Sequence, residues 1–209
     1  MVLKNFIVFE GIDGAGTSTQ IKLLVERGNS CNKTGMPCFT ATAEPTDSET
    51  GRFLRRILGG DFSVDEKTNA YLFAADRCEH IFGKGGVKEL CEKGKIVVSD
   101  RYFFSSLAYQ SVSCGDELPA LLNSPFPLPE ILFYFEINPE ISLERVNARG
   151  EHKEIYEKIE LQRAIASQYD KIIKSYEKTV CETGMKIFRI DASRSIEAIA
   201  EQIWNLLKL

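Results

Sequence analysis

The residues with the clearest chemistry lie near the start of the chain. Gly11-Ile12-Asp13-Gly14-Ala15-Gly16-Thr17-Ser18 fits the frame G-x-x-x-x-G-K-[ST] at every fixed position except the lysine, which is Thr17. An apolar strand should precede the string and a helix follow it, the context a phosphate-cradling loop requires. Glycines let successive backbone N–H groups point inward as an anion nest, and the helix N-terminus adds positive potential. Ser18 is the residue whose hydroxyl would reach a Mg²⁺ bridging two phosphates. The structural alternative is a glycine-rich turn that only joins strand to helix. Thr17 removes an ammonium that normally neutralises the transferring phosphoryl group. Losing one preorganised donor of that kind costs about 2.7–4 kcal/mol of barrier. Either another cation supplies the charge, or the chain binds nucleotides with weakened catalysis.

Three further groupings carry polar chemistry. Ser99-Asp100-Arg101-Tyr102 follows an apolar run, so it should sit at the carboxyl edge of a strand, where open parallel sheets bind ligands. Asp100 there can hold a magnesium water shell and Arg101 can grip phosphate oxygens; an exposed ion pair on a loop is the alternative. Phe73 and Arg77 in LFAADR are i, i+4 neighbours on a helix, so a ring and a guanidinium share one face. That suits base recognition, and equally an ordinary core ring beside a snorkelling arginine. Glu44-Pro45-Thr46 forms a turn, and Arg55 and Arg56 lie on a short helix after it; they would reach a monophosphate or simply form a solvated basic face. His80 and His152 show no metal spacing and are assigned no chemistry.

The elements that must position these residues alternate strand and helix, the pattern of a parallel sheet covered by helices. Residues 6–10, 37–42, 95–100, 132–137 and 186–190 read as strands, and 196–207 as a closing helix. Pro125, Pro127 and Pro129 are expected to mark a loop before the strand at 132, because proline is excluded from central strands. The charged stretch 149–160 reads as a mobile flap or a solvated helix start. With 209 residues, 44% hydrophobic and 27% charged, one α/β domain spanning 1–209 is the expectation. The net charge of −4 argues against a chain that coats nucleic acid, so an anionic substrate needs a local basic pocket. The six scattered cysteines suit free thiols in a reducing compartment. No apolar run approaches the roughly 18 residues of a membrane span, and no signal-peptide pattern is seen; a cytoplasmic location is expected.

Taken together, FIVFEGIDGAGTSTQ, EPT, LFAADR, DRYFFSSLAYQ, ARGEHKEIYE and IDASRSIEAI resemble the thymidylate kinases, P-loop nucleoside-monophosphate kinases, over nearly the whole chain. The resemblance implies a five-stranded parallel sheet and transfer of the γ-phosphoryl of ATP, with Mg²⁺, to dTMP. It places ATP on Gly11, Asp13, Gly14, Ala15, Gly16, Thr17, Ser18 and Thr19, with Arg149 and Arg194 beside the adenine. It places dTMP against Asp13, Glu44, Pro45, Arg55 and Arg101, with Phe73, Arg77, Ser105, Ser106, Tyr109 and Gln110 around the sugar and thymine. A homodimer is also implied. The chain departs from the family pattern at Thr17, at Gly14 and Ile155, where a catalytic arginine is often found, and at Ala43. Lys153 is the nearest cation in the 149–160 stretch and is the candidate substitute, making Ser18, Asp100, Arg101 and Lys153 the expected catalytic set.

Overall fold

The computed structural model describes residues 1–30, 38–148 and 159–207. Strand β1 (Val2–Gly11) leads through the glycine loop into α1 (Thr17–Ser30). β2 (Phe39–Ala43) is followed by α2 (Glu49–Leu58), α3 (Glu66–Phe82) and α4 (Val87–Glu92). β3 (Ile96–Asp100), α5 (Phe103–Cys114) and α6 (Glu117–Asn123) come next. β4 (Leu128–Glu136), α7 (Pro139–Ala148), α8 (Ile159–Glu177), α9 (Val180–Thr183), β5 (Lys186–Asp191) and α10 (Ile196–Leu207) complete it.

The strands form one sheet in the order β2-β3-β1-β4-β5, all parallel. The central strands β1, β3 and β4 are buried on both faces over much of their length, which is why their sequence runs are apolar rather than alternating, whereas the edge strands β2 and β5 are only partly covered. The period of two still sorts the side chains. Phe6, Val8, Leu132 and Tyr134 face a core shared with α3, α4, α5 and α8. Ile7, Phe9, Phe133 and Phe135 face the opposite core under α1 and α10. Two layers of helices therefore clamp the sheet, and its carboxyl edge is left for the loops.

The parallel α/β class and the strand positions agree with the sequence reading, with two differences. Pro129 is not in a loop: it lies within β4, paired with Leu3. Pairing of β4 with β5 begins only at Ile131, so at Pro129 the strand has a neighbour on one side alone, the edge position that tolerates proline. A register irregularity between Leu3 and Ile7 coincides with Asn5 at φ 63, whose N–H donates to the Glu130 carboxylate at 2.7 Å. The second difference is one of extent: α2 and α3 are helices, as read, and run to ten and seventeen residues. Ser48 caps α2 by accepting from Gly51 N–H at 3.2 Å, and Asp65 caps α3 through Lys67 and Thr68 N–H, each satisfying orphan donors of a first turn.

Among the described residues, cysteines 38, 78, 91, 114 and 181 are free, as the scattered spacing predicted. Burial of Cys91 pushes its thiol up to about 11, so it behaves as a small core residue. No helix of the described residues is long and apolar enough to cross a membrane. The 149–160 stretch falls largely outside the described residues, which resume at Ile159.

Candidate active site

The glycine loop turns from β1 into α1 at the carboxyl edge of the sheet. Gly14 and Gly16 adopt φ +83 and +92, a backbone region that L-residues with a Cβ avoid. At Gly14 space is also lacking: an added Cβ would lie 2.5 Å from the carbonyl oxygen of Ser142 on α7. The Ser142 hydroxyl in turn donates to the Asp13 carbonyl. Packing of α7 behind the loop thus leaves room only for glycine at this compact turn.

Beside the loop is a cleft of about 350 Å³. On one wall are Asp13, Gly14, Gly16, Thr17, Ser18 and Thr19; Ala43, Glu44 and Pro45 follow from the end of β2. Arg55 of α2 and Phe73 of α3 form the outer part, with Asp100 and Arg101 at the floor. Ser105, Ser106, Tyr109 and Gln110 of α5 close the far wall. Segments separated by more than ninety positions in the chain thus meet at one sheet edge, where parallel topology places ligand sites.

At the floor, the Ser18 hydroxyl donates to Asp100 Oδ2, while Asp100 Oδ1 is buried with no hydrogen-bond partner. An orphaned carboxylate oxygen beside a hydroxyl is a hard-oxygen donor pair, which fits Mg²⁺. The described residues contain no group of three or more His, Cys, Asp or Glu able to enclose a metal. A partial protein shell completed by water and phosphate is the usual habit of Mg²⁺, which gives up its water reluctantly.

Arg101 is held in the left-handed region at φ 71, its N–H bonded to Phe9 O at 2.9 Å. Its guanidinium pairs with Asp13, donates to Ser105 Oγ at 3.2 Å and lies 5.2 Å from the Tyr109 ring centroid. The exposed Asp100–Arg101 pair considered as an alternative does not form: Arg101 pairs instead with the loop carboxylate across the cleft. A fully buried carboxylate, Glu10, supports this turn. It accepts from Tyr102 N–H at 2.7 Å, Ser105 N–H at 3.2 Å, Ser105 Oγ at 2.6 Å and Tyr169 Oη at 2.9 Å. Burial pushes Glu10 up from 4.5 to about 7, offset in part by the Ser105 hydroxyl, the Arg101 charge and the Tyr169 hydroxyl. The signal that could have found Glu10 is a lone carboxylate ending the apolar run FIVFE.

Arg77 does not snorkel to solvent, the structural alternative for LFAADR. It is 1% exposed and is not among the residues facing the cleft. Its Nε and Nη2 donate to Glu44 Oε2 at 2.8 and 2.7 Å, Nη2 also to Ser106 Oγ at 3.0 Å, and Nη1 to Asn123. Phe73 lines the cleft while the guanidinium, one turn on, lies behind the wall formed by Glu44 and Ser106. Gln110 is buried with its Oε1 unpartnered, an acceptor facing the cavity. Arg55 donates to Pro45 O at the cleft's outer rim. Gly11 and Ala15 belong to the loop's backbone and packing rather than to the cavity wall. Arg194 lies in the exposed turn before α10, donating to Gln202 at 2.8 Å, outside the cleft. Arg149 and Lys153 lie outside the described residues, as do Gly150 and Ile155. Ile12, Leu58 and Val146 line the cavity without having been singled out by the sequence, since apolar residues carry no motif.

A glycine loop between strand and helix, a Ser–Asp oxygen pair at its base and a half-buried arginine just after the neighbouring strand β3 define a P-loop-type nucleotide-binding α/β protein. The profile of the thymidylate kinase family matches residues 9–203. A relative from Treponema pallidum (strain Nichols) is 41% identical over 207 residues, 99% of this chain and 96% of its own length. The thymidylate kinase of Leptospira borgpetersenii (serovar Hardjo-bovis) is 38% identical over 187 residues, 87% of this chain and 86% of the relative. A relative from Methanocaldococcus jannaschii is 38% identical over 209 residues, 100% of this chain and 98% of its own. The chain belongs to the thymidylate kinase family.

Proposed function

We propose that the chain phosphorylates dTMP to dTDP with ATP as donor. The observation that carries this reading is that one cleft joins the phosphate loop and the Ser18–Asp100 pair to a wall bearing Arg101, Phe73 and the unpartnered Gln110 amide. A phosphate oxygen of the acceptor attacks the γ-phosphorus of ATP in line; the new P–O bond forms as the bond to the β-phosphate oxygen breaks, and ADP leaves. No side chain needs to move a proton in such a step, so the protein's contribution is position and charge.

In this reading the loop N–H groups from Gly14 to Thr19 cradle the ATP phosphates. Ser18 and Asp100 would hold Mg²⁺, which when bound screens the phosphate charge. Arg101, between Asp13 and Ser105, grips the acceptor phosphate with Arg55 on the opposite rim. Phe73 stacks on the base and Gln110 accepts from its ring N–H. Asp13, Glu44, Pro45, Ser105, Ser106 and Tyr109 complete the acceptor half. Arg77 acts on the base through Glu44 and Ser106, to which it is hydrogen-bonded. The charge that Thr17 lacks is assigned to Lys153, with Arg149 and Arg194 beside the adenine. A homodimer rests on the family resemblance, and sedimentation tests it; the exposed free thiols of Cys78 and Cys181 suit a reducing cytoplasm.

The test is ADP formation from Mg·ATP with dTMP against dUMP, dCMP, dGMP and AMP, in the native protein and in Thr17→Lys. Selective turnover with dTMP is expected in the native protein. Thr17→Lys should change kcat by much less than the roughly 10²–10³ that one preorganised donor supplies when nothing replaces it. Binding of ATP and dTMP without turnover in the native protein would make it a nucleotide-binding protein rather than a kinase.

A further inference from the structure

We infer that Asp76, outside the cleft, is a positioning residue for the acceptor site: with Arg77 and His80 it fixes the Glu44–Pro45–Thr46 loop at a set distance from Phe73. The inference rests on the proposed acceptor role of that cleft and adds residues to which neither the motif nor the resemblance assigned a function.

α3 carries Phe73, Asp76, Arg77 and His80 at i, i+3, i+4 and i+7, so the four share one helical face. Phe73 reaches the cavity, and the other three are buried or nearly so against the loop after β2. Each reaches a different part of that loop. Arg77 takes Glu44 Oε2. His80 Nδ1 lies 2.9 Å from Glu44 Oε1 and its Nε2 2.7 Å from Thr42 Oγ1. Asp76 takes Thr46: Oδ2 accepts its N–H at 2.8 Å, and Oδ1 lies 2.6 Å from its hydroxyl, 3.0 Å from Ser48 Oγ and 2.8 Å from Thr50 Oγ1. Loop residues 44 and 46 are thus clasped by helix residues 77 and 76, a carboxylate to guanidinium pair beside a carboxylate that receives N–H and O–H donors.

The clasp extends to both neighbouring elements. Glu44 N–H donates to Asp100 O at 3.0 Å, which ties the loop to the end of β3. Ser48 caps α2 through Gly51 N–H at 3.2 Å. At Gly51 a Cβ would stand 1.9 Å from Thr46 O, so the first turn of α2 rests directly on the clasped residue. Arg55, two turns into α2, returns to Pro45 O. The segment from Thr46 to Thr50, which leads into the helix bearing Arg55, is therefore referenced to one buried carboxylate on the helix that also presents Phe73, while Glu44 is held beside it by Arg77 and His80. Asp76 is 1% exposed, and its donors hold its carboxyl below the ordinary range despite burial, so it remains an acceptor. A carboxylate can serve several donors at once because it offers about four lone-pair sites.

Removing this acceptor should loosen the acceptor half of the cleft and leave the phosphate loop, on another element, unchanged. Steady-state kinetics of Asp76→Ala and Asp76→Asn with dTMP and ATP varied separately test this, together with dTMP binding by calorimetry. In Asp76→Ala the KM and Kd for dTMP should rise about tenfold or more, the effect of about 1.4 kcal/mol, while the KM for ATP stays within about twofold. Asp76→Asn keeps one oxygen, and the hydroxyls can turn to accept from its amide, so its rise should be smaller. If Asp76→Ala fails to fold, Thr46→Val, which deletes one donor and keeps the N–H, should move the dTMP constants in the same direction. Its effect should shrink when Asp76 is already Asn, as coupled partners require. Equal changes in both substrate constants, or a lowered Tm with the dTMP constants unmoved, would reduce Asp76 to a structural residue and overturn the inference. Native turnover with dTMP alongside such a result leaves the proposed function standing. A native protein that neither binds nor phosphorylates dTMP overturns both.

Discussion

Replacing Glu10 by glutamine should make the protein more stable at pH 8 and leave it unchanged near pH 4.5. The native carboxyl is fully buried, and burial raises it from 4.5 to about 7. Between those values the folded chain keeps a proton that the unfolded chain has released. Stability contributed by the protonated group is therefore complete below pH 4.5 and is lost as the pH rises through 7. At about 1.4 kcal/mol per pH unit the loss is roughly 3 kcal/mol. Glutamine is neutral at every pH and has nearly the same shape. Its oxygen can keep the Tyr102 and Ser105 N–H donors, while the Ser105 and Tyr169 hydroxyls, at 2.6 and 2.9 Å from the other oxygen, can turn to accept from the amide. Urea unfolding of both proteins from pH 4.5 to 8 gives the answer in the difference curve, because carboxyls such as Asp76 and Asp170, which are lowered in the fold and titrate with the opposite sign, cancel between the two. The difference should open steadily above pH 5 in favour of the variant. A flat difference, or a native protein that gains on the variant as pH rises, would show that the hydrogen bonds and Arg101 outweigh burial and keep Glu10 ionised.

Two further substitutions test the walls of the cleft. Gly14→Ala should cost about 1–3 kcal/mol of backbone strain, and its methyl, 2.5 Å from Ser142 O, should displace the loop; ATP affinity falls, which titration calorimetry reads directly. Arg77→Met leaves the buried Glu44 carboxylate with only His80 opposite among its ion-pair partners, so denaturant unfolding should show a loss of about 3–5 kcal/mol, with dTMP affinity reduced in parallel.

What the sequence could show was set by how local each cause is. The phosphate loop was legible because strand, glycines and Ser18 lie within one turn of chain and their φ demands are written as residue types. The sheet was legible because strands buried on both faces must be apolar throughout. Pro129 misled because the rule against proline concerns central strands, and a strand is central only where its neighbour has begun; the start of β5 opposite Ile131 is a fact of register, not of composition. The partners of Arg77 were hidden for a related reason. The i, i+4 spacing correctly put it on the face of Phe73, but its partner Glu44 lies 33 positions away, and a guanidinium turns toward the carboxylate that can neutralise it. Asp76 was passed over and His80 given no chemistry for the same reason, since their donors and acceptors come from β2, the turn after it and the start of α2.

The distribution of charge in the cleft bears on how the chain manages without a loop lysine. Its lining carboxylates are Asp13, Glu44 and Asp100, and its lining guanidiniums are Arg55 and Arg101. Glu44 is neutralised from behind by Arg77 and Asp13 from across the cleft by Arg101, while Arg55 has a carbonyl and, at 3.9 Å, Asp47. The described wall is therefore close to neutral, yet the proposed reactants would bring two anionic phosphate chains together. Like charges about 4 Å apart repel by about 4 kcal/mol near a protein surface, more than half-engaged arginines can offset alone. The Asp13–Arg101 pair supplies part of the remedy, because an acceptor phosphate at Arg101 would compete with Asp13 for the same guanidinium and use a cation already desolvated and oriented. In the proposed function the rest would come from a divalent cation on Ser18 and Asp100 and from side chains beyond this wall, for which the motif offers Arg149 and Lys153. Thr17 leaves the loop without its usual ammonium, and the activity of Thr17→Lys measures how far other groups take its place in the proposed reaction.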